Sequence, residues 1–292
     1  MELMQLRLIT VDTFTQCRFG GNPVAVVLDS EEIPPMYFPQ IANEIGLTQT
    51  VFVEDLGDEN YFLRFFTPTK QIEFSAHATL AAFYVLIKDG YIRPIENGRK
   101  IVSAFFESDI KTEIYIDYNN YDASLVKIVM PQIFSDCITR SKLDAEGLSD
   151  VLNIDVDDIL HFDVSGVFKK DILVTVKTKD ILDNLKPDFW KLSGLSELLG
   201  INGFFINYFN VDKKYAYARY FAPSIGIYEE AVTGSAAACL GKFILDKFGL
   251  DSITIYQGQI MNRPGKIEII KEEKNYIVGG NARVVTDGIM QL

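Results

Sequence analysis

Basic residues, cysteine, histidine and long apolar runs are all in short supply in this chain. Its 292 residues hold 28 Lys and Arg against 40 Asp and Glu, a formal net charge of −12. That balance provides none of the clustered basic field that nucleic acid or an anionic lipid surface needs, so neither is an expected partner. The three cysteines, Cys17, Cys137 and Cys239, form no CxxC pair and no Cys/His cluster. Their number and spacing argue against a disulfide framework or a structural zinc, and fit a reducing cytoplasm with no metal and no cofactor. No stretch reaches the roughly 18 uninterrupted apolar residues of a membrane span. The opening MELMQLRLITVDTF alternates like a strand and lacks the apolar core of a signal peptide. A soluble, unprocessed protein is expected.

Linkers are missing too: no Pro/Gly/Ser-rich or low-complexity tract divides the chain. The length favours two domains, each able to bury a core, so a boundary must come from repetition. Leu63-Arg64-Phe65-Phe66-Thr67-Pro68-Thr69 is echoed by Ala218-Arg219-Tyr220-Phe221-Ala222-Pro223-Ser224, displaced by 155 (219 − 64), and Ile72 and Ile227 keep the offset. In each copy a β-favouring run meets a proline, crosses a short loop and enters a small-residue stretch with helical spacing, His77 to Ile87 and Ser235 to Phe248. A weaker echo joins Gly20-Gly21-Asn22 to Gly279-Gly280-Asn281, both read as glycine turns feeding apolar strands. Chance or plain turn chemistry explains that second echo equally well.

Elsewhere, Pro34 to Ile45 has helical spacing and stops at Gly46, a C-cap residue, before the strand-like Thr50-Val51-Phe52-Val53. Thr48 and Gln49 therefore occupy a tight helix-to-strand connection, where side chains project into whatever the loop faces. Leu125 to Met130 and Ile172 to Val176 read as strands and Lys186 to Leu199 as a helix. The class is mixed α/β (α+β) with much antiparallel sheet.

Two segments could carry chemistry. His77, in Glu73-Phe74-Ser75-Ala76-His77-Ala78, is one of only two histidines and sits at a strand-to-helix junction. Its imidazole can act as acid, base or donor, or simply satisfy the junction. His161 has only strand-like neighbours and reads as structural. The second segment is Glu229-Glu230-Ala231-Val232-Thr233-Gly234-Ser235-Ala236. A helix start built from Thr233, Gly234 and Ser235 can offer backbone N–H groups and hydroxyls to a carboxylate even in an acidic protein. It can equally be a capped helix whose acids complement the dipole. Its place in the repeat, matching that of His77, favours the functional reading.

The run from Phe221 to Ala236 is similar to the FSPxxGIxEDPxTGSA segment of the phenazine-biosynthesis isomerase (PhzF-like) family. Further matches follow in order along most of the chain. They are Val11-Asp12-Thr13-Phe14 with Gly21 to Val27, the LSET-type loop at Leu47-Thr48-Gln49-Thr50, the FTPTxExDLCGHATLAA-type segment at Phe66 to Ala82, and Asn202-Gly203-Phe204-Phe205. The resemblance implies a diaminopimelate-epimerase-like fold of two pseudo-symmetric halves, each a curled sheet around a central helix. With the repeat, it divides the chain at 1–122 and 123–292 and puts the active site in the cleft between. It also implies cofactor-independent proton transfer on a small cyclic amino-carboxylate, a dihydro-hydroxyanthranilate, by a homodimer.

By the same resemblance the catalytic positions are Gln49, His77 and Glu230, and the substrate-binding ones Thr48, Ser75, Ala76, Thr233, Gly234 and Ser235. Several depart from the family pattern. Gln49 stands where the family has a catalytic Glu, and an amide takes up no proton at physiological pH. Glu230 replaces Asp, Ser75-Ala76 replaces a pair ending in Gly, and Asn262-Arg263-Pro264 stands for Gly-Arg-Pro. Two functions stay open: an isomerase using His77 and Glu230 with Gln49 orienting the substrate, or a binding protein that keeps the pocket without the chemistry. A thiol racemase is disfavoured, since Cys239 has no counterpart near Ser75.

Overall fold

The computed structural model describes residues 5–107, 110–136, 143–168 and 170–292, so Cys137 lies outside the described residues. The chain forms two compact units, Met1–Pro131 with Ile277–Leu292, and Gln132–Tyr276.

In the first unit the central element is helix Ala76–Lys88. Its sequence AHATLAAFYVLIK is apolar almost all round, which makes a helix stable only when it is enclosed, and ten of its residues are buried. Strands Gln5–Thr13, Asn22–Val27, Thr50–Gly57, Asp122–Val129 and Ala282–Gln291 pack against it. Their order is set by register. Gln5–Thr13 pairs antiparallel with both Asn22–Val27 and Ala282–Gln291. Asn22–Val27 runs parallel to Thr50–Gly57, which pairs antiparallel with Asn60–Phe66. Asn60–Phe66 runs parallel to Asn97–Phe105, and antiparallel pairing then continues through Lys111–Asn119 and Asp122–Val129 to Ile277–Gly280. On the outer face, helix Phe38–Ile45 seats Phe38 on Phe52, ring centroids 4.4 Å apart, and ends at Gly46 in the left-handed region.

The second unit repeats this wiring. Ile159–Gly166 pairs antiparallel with Lys170–Val176, which runs parallel to Gly203–Asn210. Gly203–Asn210 pairs antiparallel with Tyr215–Ala222, which runs parallel to Ser252–Gln257, itself antiparallel to Gly265–Glu272. Helix Gly234–Phe248, poor in charge on its buried side, packs against four of these strands. A separate core under helices Ala145–Leu152 and Phe189–Leu199 is built on Leu148, Leu152, Leu192, Phe204 and Phe221. The 155-residue echo is thus a repeat of topology: Phe65 pairs with Ile72 as Tyr220 and Ala222 pair with Glu230 and Ile227.

Three expectations change. Residues 123–131 and 277–292 group with the first unit, which differs from a division at 122 and 123, because Asp122–Val129 and the last two strands complete its sheet. Gly279 and Gly280 are not a turn; they are buried strand residues. Gly21 does adopt the positive φ of a turn, +59°, so the two GGN segments are unlike, and both lie in the first unit. The helix expected from Lys186 starts at Phe189, because Pro187 precedes Asp188, whose carboxylate caps the N–H groups of Trp190 and Lys191 at 3.1 Å. Among the described residues no helix is long and apolar enough to cross a membrane.

Candidate active site

In the first unit, Thr48 and Gln49 follow helix Phe38–Ile45 and lead into Thr50–Gly57. The Thr48 hydroxyl donates to Pro23 O at 3.4 Å, and Gln49 O accepts from Ala25 N–H at 3.1 Å, extending the parallel ladder by one bond. The Gln49 backbone is fixed, therefore, while its side-chain Oε1 is buried without a hydrogen-bond partner.

Ser75 is the N-cap of helix Ala76–Lys88, and Ala76 and His77 are its first two residues. The Ser75 hydroxyl oxygen accepts from Ala78 N–H at 3.3 Å and lies 3.3 Å from His77 Nδ1. The hydroxyl can donate to Nδ1 or accept from it through its second lone pair, so this contact fits either neutral tautomer of His77. His77 is 4% exposed, and burial pushes its imidazole down to about 3. At neutral pH it is an uncharged ring. Its Nε2 also has no partner. Buried polar atoms of a folded protein are nearly always satisfied; Gln49 Oε1 and His77 Nε2 are two of the seven described side-chain atoms that are not, His161 Nε2 being another.

In the second unit, strand Ile227–Glu230 sorts two adjacent carboxylates onto opposite faces. Glu229 forms a two-bond pair with Arg219, both contacts 2.9 Å. Arg219 also donates to Leu182 O and Leu185 O, tying down the end of helix Lys179–Asn184. Glu230 turns the other way, is 6% exposed, and accepts from the Thr233 hydroxyl at 2.7 Å. Gln257, fully buried, clamps the loop: its Nε2 donates to Glu230 O at 2.9 Å and to Thr233 Oγ1 at 3.2 Å, and its Oε1 accepts from Thr233 N–H at 3.0 Å.

Thr233 is the N-cap of helix Gly234–Phe248 but gives it no side-chain cap, because its hydroxyl is committed to Glu230. Gly234 and Ser235, the first two helical residues, therefore present backbone N–H groups that no Thr233 oxygen covers. The capped-helix alternative read for the Glu229 to Ala236 segment finds no side-chain cap at Thr233, whereas Ser75 does cap its helix. Cys239 is buried on this helix and burial pushes its thiol up to about 12, which removes it as a nucleophile at neutral pH. Among the described residues no group of three or more His, Cys, Asp or Glu could hold a metal ion.

The structure thus brings Ser75 to His77 and Thr233 to Glu230. Gln257 was missed by sequence reasoning, as was the buried pair Asp171 and Tyr220, whose hydroxyl donates to Asp171 Oδ1 at 2.8 Å. Gln257 and Asp171 lie in no recognisable motif, and Tyr220, though inside the 155-residue echo, differs there from its counterpart Phe65; each acts through strand pairing that no local pattern announces.

A profile of the family described as phenazine biosynthesis-like protein matches residues 11–288. The chain belongs to that family. An uncharacterized isomerase of Clostridium acetobutylicum is 29% identical, over 97% of each chain. Among solved structures, a PhzF-family phenazine biosynthesis protein of Bacillus anthracis superposes with a TM-score of 0.83 at 20% identity, over 98% of this chain and 99% of that one. One of the same family from Enterococcus faecalis gives 0.78 at 25% identity, over 99% and 100%. The fold is the diaminopimelate-epimerase-like one that the sequence resemblance implied, and the family membership makes the chain an enzyme of isomerase type.

Proposed function

We propose that this member of the phenazine biosynthesis-like family is a cofactor-independent isomerase that moves a proton on a small cyclic amino-carboxylate of the dihydro-hydroxyanthranilate kind. The residues the reading uses are Thr48, Gln49 and the start of the Ala76 helix, together with Glu230 and the start of the Gly234 helix. The observation that carries the reading is the pair of unpartnered buried atoms, Gln49 Oε1 and His77 Nε2, at two positions the family pattern marks as functional.

Each residue has a role its chemistry permits. Glu230 is the one carboxylate in the set and carries the proton. His77, neutral, donates from Nε2 to a substrate oxygen, and Gln49 Oε1 accepts from a substrate amine or hydroxyl. The N–H groups of Gly234 and Ser235 receive the carboxylate, helped by the helix dipole. A homodimer is part of the proposal, read from the family and from the prevalence of twofold assemblies, and light scattering tests it.

The amide at position 49 favours a second reading, a binding protein that keeps the pocket and has lost the chemistry. Incubation with a dihydro-hydroxyanthranilate in deuterium oxide separates the two. The isomerase reading expects deuterium at carbon, abolished in Glu230→Gln, weakened in His77→Ala and raised in Gln49→Glu, since a positioned acid/base group contributes about 10²–10⁴-fold. Binding of the compound with no exchange in any form refutes it and leaves the binding protein.

A further inference from the structure

In the second unit a row of buried polar groups runs from Glu230 to residues that have no part in that scheme. Ser165 pairs across the sheet with Asp171, Asp171 with Gly203, Phe205 with Tyr220, and Tyr220 with Glu230. Paired residues and residues two apart share a face of a sheet, so Ser165, Asp171, Gly203, Tyr220 and Glu230 all point the same way. Gly203 makes the row continuous. A Cβ there would lie 2.8 Å from the Tyr220 hydroxyl oxygen, so the bare backbone leaves room for the ring to cross its neighbour strand and donate to Asp171 Oδ1 at 2.8 Å. Asp171, Tyr220 and Glu230 are 6%, 5% and 6% exposed.

No ion pair reaches Asp171 among the described residues; its donors are the Tyr220 hydroxyl and the Gly203 N–H. On the neighbouring strand Asp163, two residues from Ser165, lines the same cavity as Ser165 and Cys239. Helix Gly234–Phe248 supplies the Cys239 thiol and, further along, Lys242, already engaged by Asp246. Thr233 and Gln257 hold the Glu230 end. Arg219 points to the opposite face, paired with Glu229. Among the described residues the first unit has no matching phenol: 155 residues before Tyr220 stands Phe65, which packs on Phe74 and Phe106. The chain places this hydroxyl and its acid only in the half that holds Glu230.

We propose that Asp171, anchored by Tyr220, is a positioning residue whose charge governs whether the Glu230 carboxyl holds a proton. Two carboxyls buried on one face, with one phenol between them and no cation on the inner one, cannot both ionise cheaply. Burial, opposed by the Tyr220 hydrogen bond and reinforced by Glu230, pushes Asp171 up to about 7. The two acids therefore titrate as a coupled pair. The inference rests on the reading of Glu230 as the proton-carrying group only for its effect on turnover.

Carboxyl-13C NMR of the full chain labelled in Asp and Glu tests it, with the Glu230 and Asp171 signals assigned from Glu230→Gln and Asp171→Asn. In the wild type each signal should show both steps. In Asp171→Asn the Glu230 signal should collapse to one step displaced by about one pH unit to lower pH. Tyr220→Phe, which installs the residue the first unit uses, should move the Asp171 step to higher pH. Independent single steps in the wild type, or a Glu230 titration unchanged in Asp171→Asn, overturn the proposal. If Asp171→Asn fails to fold, the wild-type curves and Tyr220→Phe still decide it. Coupled titration without exchange into any carbon acid would refute the reaction and leave this inference standing; uncoupled titration with intact exchange would do the reverse.

Discussion

Asp171→Asn should stabilise the protein at alkaline pH and leave it unchanged in acid. A free aspartate loses its proton near 3.8, whereas burial holds the Asp171 carboxyl to about 7. Across that window the folded chain keeps a proton that the unfolded chain has released, so wild-type stability falls as pH rises and the deficit is complete above pH 7. A displacement of about 3 pH units at about 1.4 kcal/mol each makes the deficit about 4 kcal/mol. Asparagine has no proton to lose, is close to isosteric with the neutral acid, and can still accept from the Tyr220 hydroxyl and the Gly203 N–H. Urea unfolding of both forms between pH 4 and pH 8.5 measures the difference directly. The gap should open between about pH 4 and pH 7 and stay constant above. A gap that does not vary with pH, or one that favours the wild type at pH 8, would refute the assignment of Asp171 as a buried acid without a cation.

His77 carries the opposite dependence. Its imidazole is held down to about 3, so the unfolded chain gains a proton below about 6.5 that the folded one refuses. Stability is lost as pH falls through 6.5 toward 3, and His77→Gln should flatten that part of an acid-unfolding profile by a few kcal/mol. Arg219→Met should cost about 3 kcal/mol in urea unfolding, because it leaves the Glu229 carboxylate enclosed without its partner and frees the carbonyls of Leu182 and Leu185. Gln257→Leu should lower the melting temperature and, by releasing Thr233 Oγ1 and the Glu230 carbonyl, raise backbone hydrogen exchange at Ala231 to Ser235.

The halves were legible because their signal is local. A run such as Phe65-Phe66 leading to Pro68, repeated at Tyr220-Phe221 and Pro223, encodes a strand, a turn and a helix start within a few residues. The alanine-rich helices after Ser75 and Thr233 declared themselves by lacking a polar face. What stayed hidden depends on partners distant in sequence. Nothing in Glu229-Glu230 says which acid is enclosed until the strand alternates them across a sheet. Gly279-Gly280 looks like a turn, yet pairs with Lys127 and Val126 in the interior of a sheet. Asp171 resembles any surface aspartate until Gly203 and Tyr220 are brought beside it by a parallel crossover. The return of the last strands to the first unit is likewise a matter of pairing, since Ala282–Gln291 looks no different from any other edge strand before Gln5–Thr13 meets it.

That return has a consequence for how the protein is made. The second unit is one unbroken stretch, Gln132–Tyr276, and all of it has been synthesised before the segment that completes the first. At translation rates of roughly 5–20 residues per second the growing chain carries an unfinished first sheet for roughly 7–30 s. During that interval the backbone edge of Gln5–Thr13 that Ala282–Gln291 will occupy, and the edge of Asp122–Val129 that Ile277–Gly280 will occupy, lie open to any strand that arrives first. The order of synthesis thus leaves the more N-terminal half to close after the other, and gives Ile277–Leu292 the task of sealing it.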